Sequence, residues 1–158
     1  MGHDKIGAMI LVMATVAGSG ATVIDVPGDM EEIQQAIQFA TDGDTVLVQP
    51  GTYAETLAFL GKGITVTGIA PEDSIVVAAT VVDASTTPCG DSCSVATFLS
   101  GEDERSFLAG LTLTGGRGTL VGLDSYFNPS TAGGGIYCID GSAPSLLRIV
   151  VKGNSIQG

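Results

Sequence analysis

The chain has 158 residues, of which 44% are hydrophobic and 15% charged, so it carries enough apolar side chain for one folded domain and is too apolar for a disordered protein. Its formal net charge is −11 with six Lys and Arg, which argues against nucleic acid and anionic lipid as partners, because phosphate-binding surfaces need clustered basic residues. The 23 glycines and the low aromatic content of 5% indicate turn-rich β structure.

Residues 1–21 are predicted to be a signal peptide, and residues 22–158 the mature domain. Lys5 precedes the apolar run 6–17, and small residues follow up to Ala21. The run is shorter than the ~20 residues that span a bilayer, so we expect secretion or a cell-surface location without stable membrane insertion. The alternative is a buried strand or helix, because Asp4 beside Lys5 weakens the positive region.

A short strand and one helix are predicted next. Residues 22–26 form a β-branched run, and Asp29 is predicted to cap a helix over 29–40, with Glu32 completing a capping box. Apolar residues recur at helical spacing in this segment, so one face of the helix must lie on an apolar surface: Ile33, Ala36, Ile37 and Ala40.

The rest of the chain is predicted to be short strands separated by turns. Asp42 and Asp44 are interpreted as structural residues of the first turn rather than as metal ligands. Because a single helix precedes most of the strands, an all-β fold is favoured. The predicted strands cover residues 45–48, 63–68, 74–77, 80–83, 95–99, 107–113, 135–139 and 146–151.

A short internal repeat favours a solenoid over a sandwich. Residues 63–68 read GITVTG and residues 110–115 read GLTLTG. If the two segments occupy equivalent positions in successive coils, their aliphatic side chains point into the core and their threonines point outward.

The segment MEEIQQAIQFATDGDTVLVQPGTYAETLAFLGKGITVTG resembles the amino-terminal cap and first coil of the pectin-lyase-like superfamily, and residues 107–118 and 133–154 resemble the repeats of secreted and cell-surface bacterial β-helix proteins. The resemblance implies a right-handed parallel β-helix with an amino-terminal capping α-helix. We expect the solenoid to be partial at its carboxyl end: a fragment, a truncated reading frame or a subunit covered by a partner, and prone to self-association there.

The cysteines and acidic residues offer few sites. Cys89 and Cys93 could close a small disulfide loop, and Cys138 is predicted to be a buried small hydrophobe. Glu102, Asp103 and Glu104 are interpreted as a solvated acidic turn, with a Ca²⁺ site as the alternative. No other cofactor is predicted.

Aromatic residues are the candidates for glycan contact. Tyr126 and Phe127, in the longest loop, and Tyr137 could stack on a sugar ring, although packing of the loop onto the coil is the alternative. Asn154 is predicted to support a turn.

The function favoured by these observations is that of a secreted or cell-surface scaffold, adhesion or glycan-contacting module, with polysaccharide or cell-surface glycan as its partner. No catalytic residue can be transferred from the superfamily, so this chain alone is not expected to be an enzyme. The alternative is the amino-terminal part of a pectate lyase-like or pectin methylesterase-like enzyme whose active site lies beyond residue 158. A designed or domesticated fragment without activity is a third possibility.

Overall fold

The computed structural model describes residues 20–90, 92–123 and 129–156; the predicted signal peptide, apart from Gly20 and Ala21, lies outside them. The described chain is mostly β and contains two short helices, α1 (Ile33–Phe39) and α2 (Ser74–Ala79). Its strands are β1 (Val23–Val26), β2 (Thr45–Val48), β3 (Gly51–Tyr53), β4 (Leu57–Ala58), β5 (Thr65–Gly68), β6 (Thr80–Asp83), β7 (Ser92–Cys93), β8 (Ala96–Phe98), β9 (Phe107–Ala109), β10 (Thr112–Thr114), β11 (Gly118–Leu123), β12 (Pro129–Ala132), β13 (Ile136–Cys138), β14 (Ser145–Leu147) and β15 (Val150–Val151).

Three of the four sheets are parallel. Sheet A has the order β1-β2-β5-β9-β14, sheet B has β3-β6-β10-β15, and sheet C has β4-β8-β13. From β2 onward the chain passes from sheet A to B to C and then returns to A, and it repeats this order until β15. The small sheet D, of β7, β11 and β12, is antiparallel and is inserted between the sheet B and sheet C strands. Successive passes of the chain therefore lie beside one another in register.

The core lies between the three parallel sheets and is filled by residues that share a register position. In sheet A the column Ile24, Val46, Val66 and Leu108 is buried. Val82 and Leu113 in sheet B, and Phe59 and Phe98 close to sheet C, complete it, and the two phenylalanine rings are 4.5 Å apart between centroids. The prediction that the aliphatic residues of the two GxTxTG segments face the core is confirmed, because Ile64, Val66, Leu111 and Leu113 are fully buried.

Helix α1 covers the first end of this core. The predicted apolar face is confirmed, because Ile33, Ala36, Ile37 and Ala40 are buried, and the helix packs against β1, β2 and β4. The predicted capping box at the start of this helix, formed by Asp29 and Glu32, is wrong. The helix begins at Ile33, and the Glu32 side chain at the N-cap makes no capping hydrogen bond. Asp29 instead accepts a hydrogen bond from the Asp25 amide, in the loop after β1.

The predicted strand over 74–77 is wrong, because these residues belong to α2, the second helix of the described residues. The Asp73 carboxylate accepts a hydrogen bond from the Ile75 amide and caps this helix, which overrides the β preference of Ile75, Val76 and Val77. Helix α2 contacts β6 and β10.

Two long predicted strands are each divided by a corner. Residues 107–113 form β9 in sheet A and β10 in sheet B, and Gly110 between them has a φ of 64°. Residues 146–151 are divided in the same way between β14 and β15, and Arg148 occupies the corner with a φ of 51°. A continuous apolar run conceals such a corner because both sides of it face the same core.

The two GxTxTG segments are not equivalent, which corrects the repeat assignment. Residues 65–68 belong to sheet A, whereas Thr112–Thr114 belongs to sheet B, and the register partner of Val66 in the next pass is Leu108. Thr112 is also fully buried rather than exposed, because helix α2 covers it and Val77 accepts its hydroxyl hydrogen bond.

Candidate functional site

The largest excursion from the parallel sheets is the hairpin of β11 and β12, which leaves after sheet B and returns before sheet C. Its first strand also pairs with β7, from the preceding pass of the chain. Thr119 joins these strands through its hydroxyl, which lies 2.7 Å from the buried Ser94 hydroxyl. Leu120 and Val121 on β11 are exposed. The hairpin is therefore held at its base and presents an apolar surface beyond it.

Arg117 fixes the loop beside the hairpin base. Its guanidinium donates hydrogen bonds to the backbone oxygens of Ser85 and Thr87, at 2.8 and 3.4 Å, and to the sulfur of Cys89 at 3.1 Å. Cys89 and Cys93 are joined by a disulfide in this loop. A guanidinium can serve several acceptors at once because its five N–H groups spread in one plane. The single cation thus connects two successive excursions of the chain.

Of the three predicted glycan-contact residues, the structure describes Tyr137. Tyr126 and Phe127 lie outside the described residues. Tyr137 is half-buried on β13, which pairs with β8 in sheet C. Gly133, which follows β12, lies so close to Tyr137 that a Cβ built there would stand 2.7 Å from the Tyr137 Cβ. The structure therefore places Tyr137 at the base of the hairpin.

Glu102 is buried, which corrects its interpretation as part of a solvated turn. Only 2% of the residue is exposed, and its carboxylate accepts hydrogen bonds from the amides of Gly61 and Ser100, both at 2.9 Å, and from the Ser142 hydroxyl at 2.8 Å. Desolvation acts to raise the pKa of Glu102, but these hydrogen bonds outweigh it and hold the pKa below the usual range. The three donors come from the turns before β5, β9 and β14, so one carboxylate connects three successive turns.

Asp103 and Glu104 do not join Glu102 in a shared site. Asp103 forms an exposed ion pair with Arg105 at 2.9 Å, and the side-chain hydrogen bond from Arg105 is the main reason why its pKa is lowered. Glu104 is exposed. In the part of the chain that the structure describes, no three His, Cys, Asp or Glu side chains are grouped to hold a metal ion.

Two further carboxylates, of the buried Asp44 and the half-buried Glu55, bridge distant segments, which was not predicted. Asp44 accepts four hydrogen bonds of 2.7 to 2.9 Å from the amides and hydroxyls of Thr22 and Thr41, and the backbone amides are the main cause of its strongly lowered pKa. Glu55 accepts hydrogen bonds from the amides of Ile33 and Gln34, at 3.0 and 2.7 Å, and thereby caps helix α1. The structural interpretation of Asp44 is confirmed: Thr41 is three residues away in the same turn, but Thr22 is 22 residues away and leaves no local pattern in the sequence.

The remaining predicted residues have structural surroundings. Asn154 accepts a hydrogen bond from the Gly116 amide and donates one to the Leu113 carbonyl, so its predicted structural role is confirmed, but it supports the turn of the preceding pass rather than its own. Cys138 is an exposed free thiol, which corrects the prediction that it is buried. Its register partner Phe98 is fully buried, and Cys138 is exposed because no further strand of sheet C lies beyond β13 in the described chain.

Neither α1 nor α2, the helices of the described residues, has the length and apolar character needed to cross a bilayer. Comparison of the chain with protein-family models, with curated proteins and with solved structures gives no match.

Proposed function

We propose that this chain is a section of a secreted or cell-surface, right-handed parallel β-helix of the pectin-lyase-like type, which acts as a scaffold for contact with glycans. The observation that carries the proposal is the repeated order of sheets A, B and C with parallel pairing between successive passes. A right-handed path is favoured because connections between parallel strands of one sheet are right-handed in nearly all proteins.

The hydrogen bonds of three carboxylates, two buried and one half-buried, support a scaffold. Asp44, Glu55 and Glu102 each accept hydrogen bonds from backbone amides of other segments. Carboxylates that are occupied in this way stabilise the path of the chain, because each satisfies backbone donors at turns or at a helix end. These three residues are thus assigned to architecture.

The hairpin of β11 and β12 is the proposed glycan-contact surface. Hydrogen bonds of Thr119 and Arg117 fix the base of this hairpin to the neighbouring segments. Tyr137 lies beside this base, and Tyr126 and Phe127 follow β11 in the sequence. Aromatic rings suit the apolar faces of sugars, and a loop held by a rigid scaffold is where binding residues are usually found.

The proposal is tested by binding of the purified chain to an array of plant, fungal and bacterial polysaccharides. We expect the double substitution Tyr126→Ala/Phe127→Ala and the single substitution Tyr137→Ala to weaken binding at least tenfold. The matched control is Phe39→Ala, which removes an exposed aromatic ring from helix α1, far along the sequence from the hairpin. Binding that is absent from the array, or that falls equally with Phe39→Ala, would contradict the contact surface.

The enzymatic alternative is tested on the same polysaccharides by assays for reducing sugar ends and for unsaturated uronates. Turnover by the chain would contradict the scaffold proposal and would support a polysaccharide-active enzyme. Export is tested separately by fusing residues 1–21 to a reporter that is active only outside the cytoplasm, and a silent reporter would contradict the predicted signal peptide.

A further inference from the structure

Thr22, the first residue after the predicted signal peptide, is tied to the start of β2 and the turn before it through three of its atoms. Its amide donates a hydrogen bond of 2.8 Å to Oδ1 of Asp44, and its hydroxyl donates a second of 2.8 Å to the same oxygen. Its carbonyl accepts a hydrogen bond of 2.8 Å from the Thr45 amide. Because the hydroxyl and the carbonyl hold Thr22 independently of Ala21, the Thr22 nitrogen should keep its position when the bond to Ala21 is cut.

Asp44 offers this nitrogen a buried and charged acceptor. Asp44 is 6% exposed, and its Oδ2 accepts hydrogen bonds from the amide and the hydroxyl of Thr41, at 2.7 and 2.9 Å. In the part of the chain that the structure describes, no Lys or Arg forms an ion pair with Asp44. A carboxylate that is surrounded by neutral donors gains from a cation at hydrogen-bond distance, because opposite charges attract more strongly away from water.

The Ala21–Thr22 bond is also suited to removal of the signal peptide. Gly20, Ala21 and Thr22 are exposed, and a Cβ built on Gly20 would meet no atom within 4 Å. Ser19 and Ala21, three residues and one residue before the bond, are both small, as at a signal-peptide cleavage site. A cut one residue earlier or later would not leave the new amine on the nitrogen that faces Asp44.

We propose that the mature chain begins at Thr22 and that its α-ammonium forms an ion pair with the Asp44 carboxylate. Hydrolysis consumes one water: Ala21 leaves with a carboxylate, and the Thr22 nitrogen becomes an ammonium that keeps one N–H directed at Oδ1 of Asp44. Removal of the signal peptide thus strengthens the junction between β1 and the turn before β2. The inference rests on the proposed export and is independent of the glycan-contact surface.

The other charged side chains around this junction are engaged elsewhere. Asp25 on β1 and Asp42 in the turn before β2 each accept a hydrogen bond from a neutral donor of another segment. Lys62 donates hydrogen bonds to carbonyl oxygens at the carboxyl end of α1, and Arg105 pairs with Asp103. None of these side chains hydrogen-bonds to the Thr22 nitrogen, so the pKa of the α-amine should depend chiefly on Asp44.

The terminus and the ion pair are tested on the full chain expressed in an exporting bacterium. The intact mass of the recovered protein should correspond to residues 22–158. Reductive methylation as a function of pH should show that the α-amine loses its proton about tenfold less readily than an ordinary chain terminus, whose pKa is about 8. Asp44→Asn should remove this difference. The matched control Asp42→Asn, which removes the same charge from the same turn, should preserve it.

A second pair of chains separates the ion pair from export and leaves Asp44 intact. A protease recognition sequence replaces the residues before the cut, so that cleavage in vitro leaves the amine on Thr22 in one chain and on Ala21 in the other. The Thr22 amine should hold its proton more tightly than the Ala21 amine. A recovered mass that retains residues 1–21 would contradict both export and the proposed terminus, and a terminus at another residue would contradict the latter. Equal pKa values for the Thr22 and Ala21 amines would overturn the ion pair alone.

Discussion

At the scale of single residues, buried carboxylates supply the hydrogen-bond acceptors that the backbone of the turns does not supply. Glu102 serves donors from three successive turns, and Asp44 joins Thr22, just before β1, to Thr41, just after α1. Each carboxylate has about four lone-pair positions, so one side chain can satisfy several donors that would otherwise be buried without partners. Hydrogen bonds to a charged acceptor are also stronger than neutral ones.

The first prediction concerns Glu102. Glu102→Gln replaces one acceptor oxygen with a donor, so at least one of its three donors is left without a partner, and we expect a loss of about 2 kcal/mol in the free energy of unfolding. Urea denaturation measures the loss. Glu104→Gln, in the same turn and exposed, is the control and should change stability by less than about 0.5 kcal/mol. Equal effects of the two substitutions would contradict the bridging role.

The second prediction concerns the pH dependence at Asp44. Its pKa is lowered in the folded chain, so its ionised form stabilises the fold fully above the unfolded pKa of about 4, and this contribution is lost as the pH falls towards the folded value. We therefore expect Asp44→Asn to cost about 2 kcal/mol near neutral pH. The gap between the variant and the unmodified chain should narrow as the pH falls below about 4 in urea denaturation. A gap that is constant with pH would be the contrary result.

At the scale of elements, helix α1 is short and depends on residues outside itself. Its seven residues are too few to form a stable helix alone. Glu55 accepts hydrogen bonds from its first amides, and the Lys62 ammonium donates hydrogen bonds of 2.6 to 2.8 Å to the carbonyls of Ile37, Gln38 and Ala40 at its carboxyl end. An anion at the amino end and a cation at the carboxyl end both interact favourably with the helix dipole. Residues on either side of β4 thus stabilise both ends of helix α1.

The third prediction tests this capping. Glu55→Ala should destabilise the chain by about 1 kcal/mol, as loss of a cap does, whereas Glu32→Ala, at the N-cap position but without a capping hydrogen bond, should not. Thermal unfolding followed by circular dichroism measures both.

Desolvation raises the pKa of Glu55 despite the amide hydrogen bonds, and the charge of Glu32 adds to the rise. NMR titration should therefore show a lower Glu55 pKa in Glu32→Ala; an unchanged value would contradict this arrangement.

The pKa of Glu55 is raised whereas that of Asp44 is lowered, so the two residues change the stability with pH in opposite directions. Its protonated form is favoured in the folded chain, so the part of the stability that depends on this proton is present below about pH 4.3 and is lost as the pH rises through the folded pKa. Lowering the pH should therefore remove the stabilisation that comes from Asp44 and add the stabilisation that comes from Glu55.

At the scale of the whole molecule, each pass of the chain packs mainly on the passes beside it. In sheet A every strand pairs only with its neighbours in the order β1-β2-β5-β9-β14. Stability in such an arrangement is a sum of contacts between neighbours, so it is greatest in the interior and smallest at an uncovered end. Helix α1 covers one end, whereas Leu146 on β14 and Val151 on β15 are exposed at the other.

The fourth prediction is a gradient of amide exchange along the described chain. Amides of β5 and β9 should exchange slowest and those of β13, β14 and β15 fastest, because β5 and β9 lie between two partner strands, whereas each of the last strands pairs on one side only. Exchange followed by mass spectrometry gives the rates by segment. Uniform protection along the chain would indicate cooperative unfolding of the whole core instead.

The sequence allowed the core-facing pattern to be predicted better than the corners and contacts. Strands β2 and β6 were predicted with their exact bounds, and the apolar face of α1 follows from helical spacing. Helix α2 was missed because its cap at Asp73 overrides β-branched residues, and the corner at Arg148 was missed because apolar residues continue through it. The carboxylate of Glu55 serves amides more than 20 residues away, which no local pattern reveals.

Glu102 and Asn154 also bear on how the chain would respond to a mechanical load. Pulling on the carboxyl end would remove β15 and β14 first, and each released pass would lengthen the chain by about 3.4 Å per residue. Both residues hold neighbouring passes together, since Ser142 binds Glu102 and Gly116 binds Asn154. The force should therefore rise where the hydrogen bonds of these side chains break, so unravelling would proceed in discrete steps.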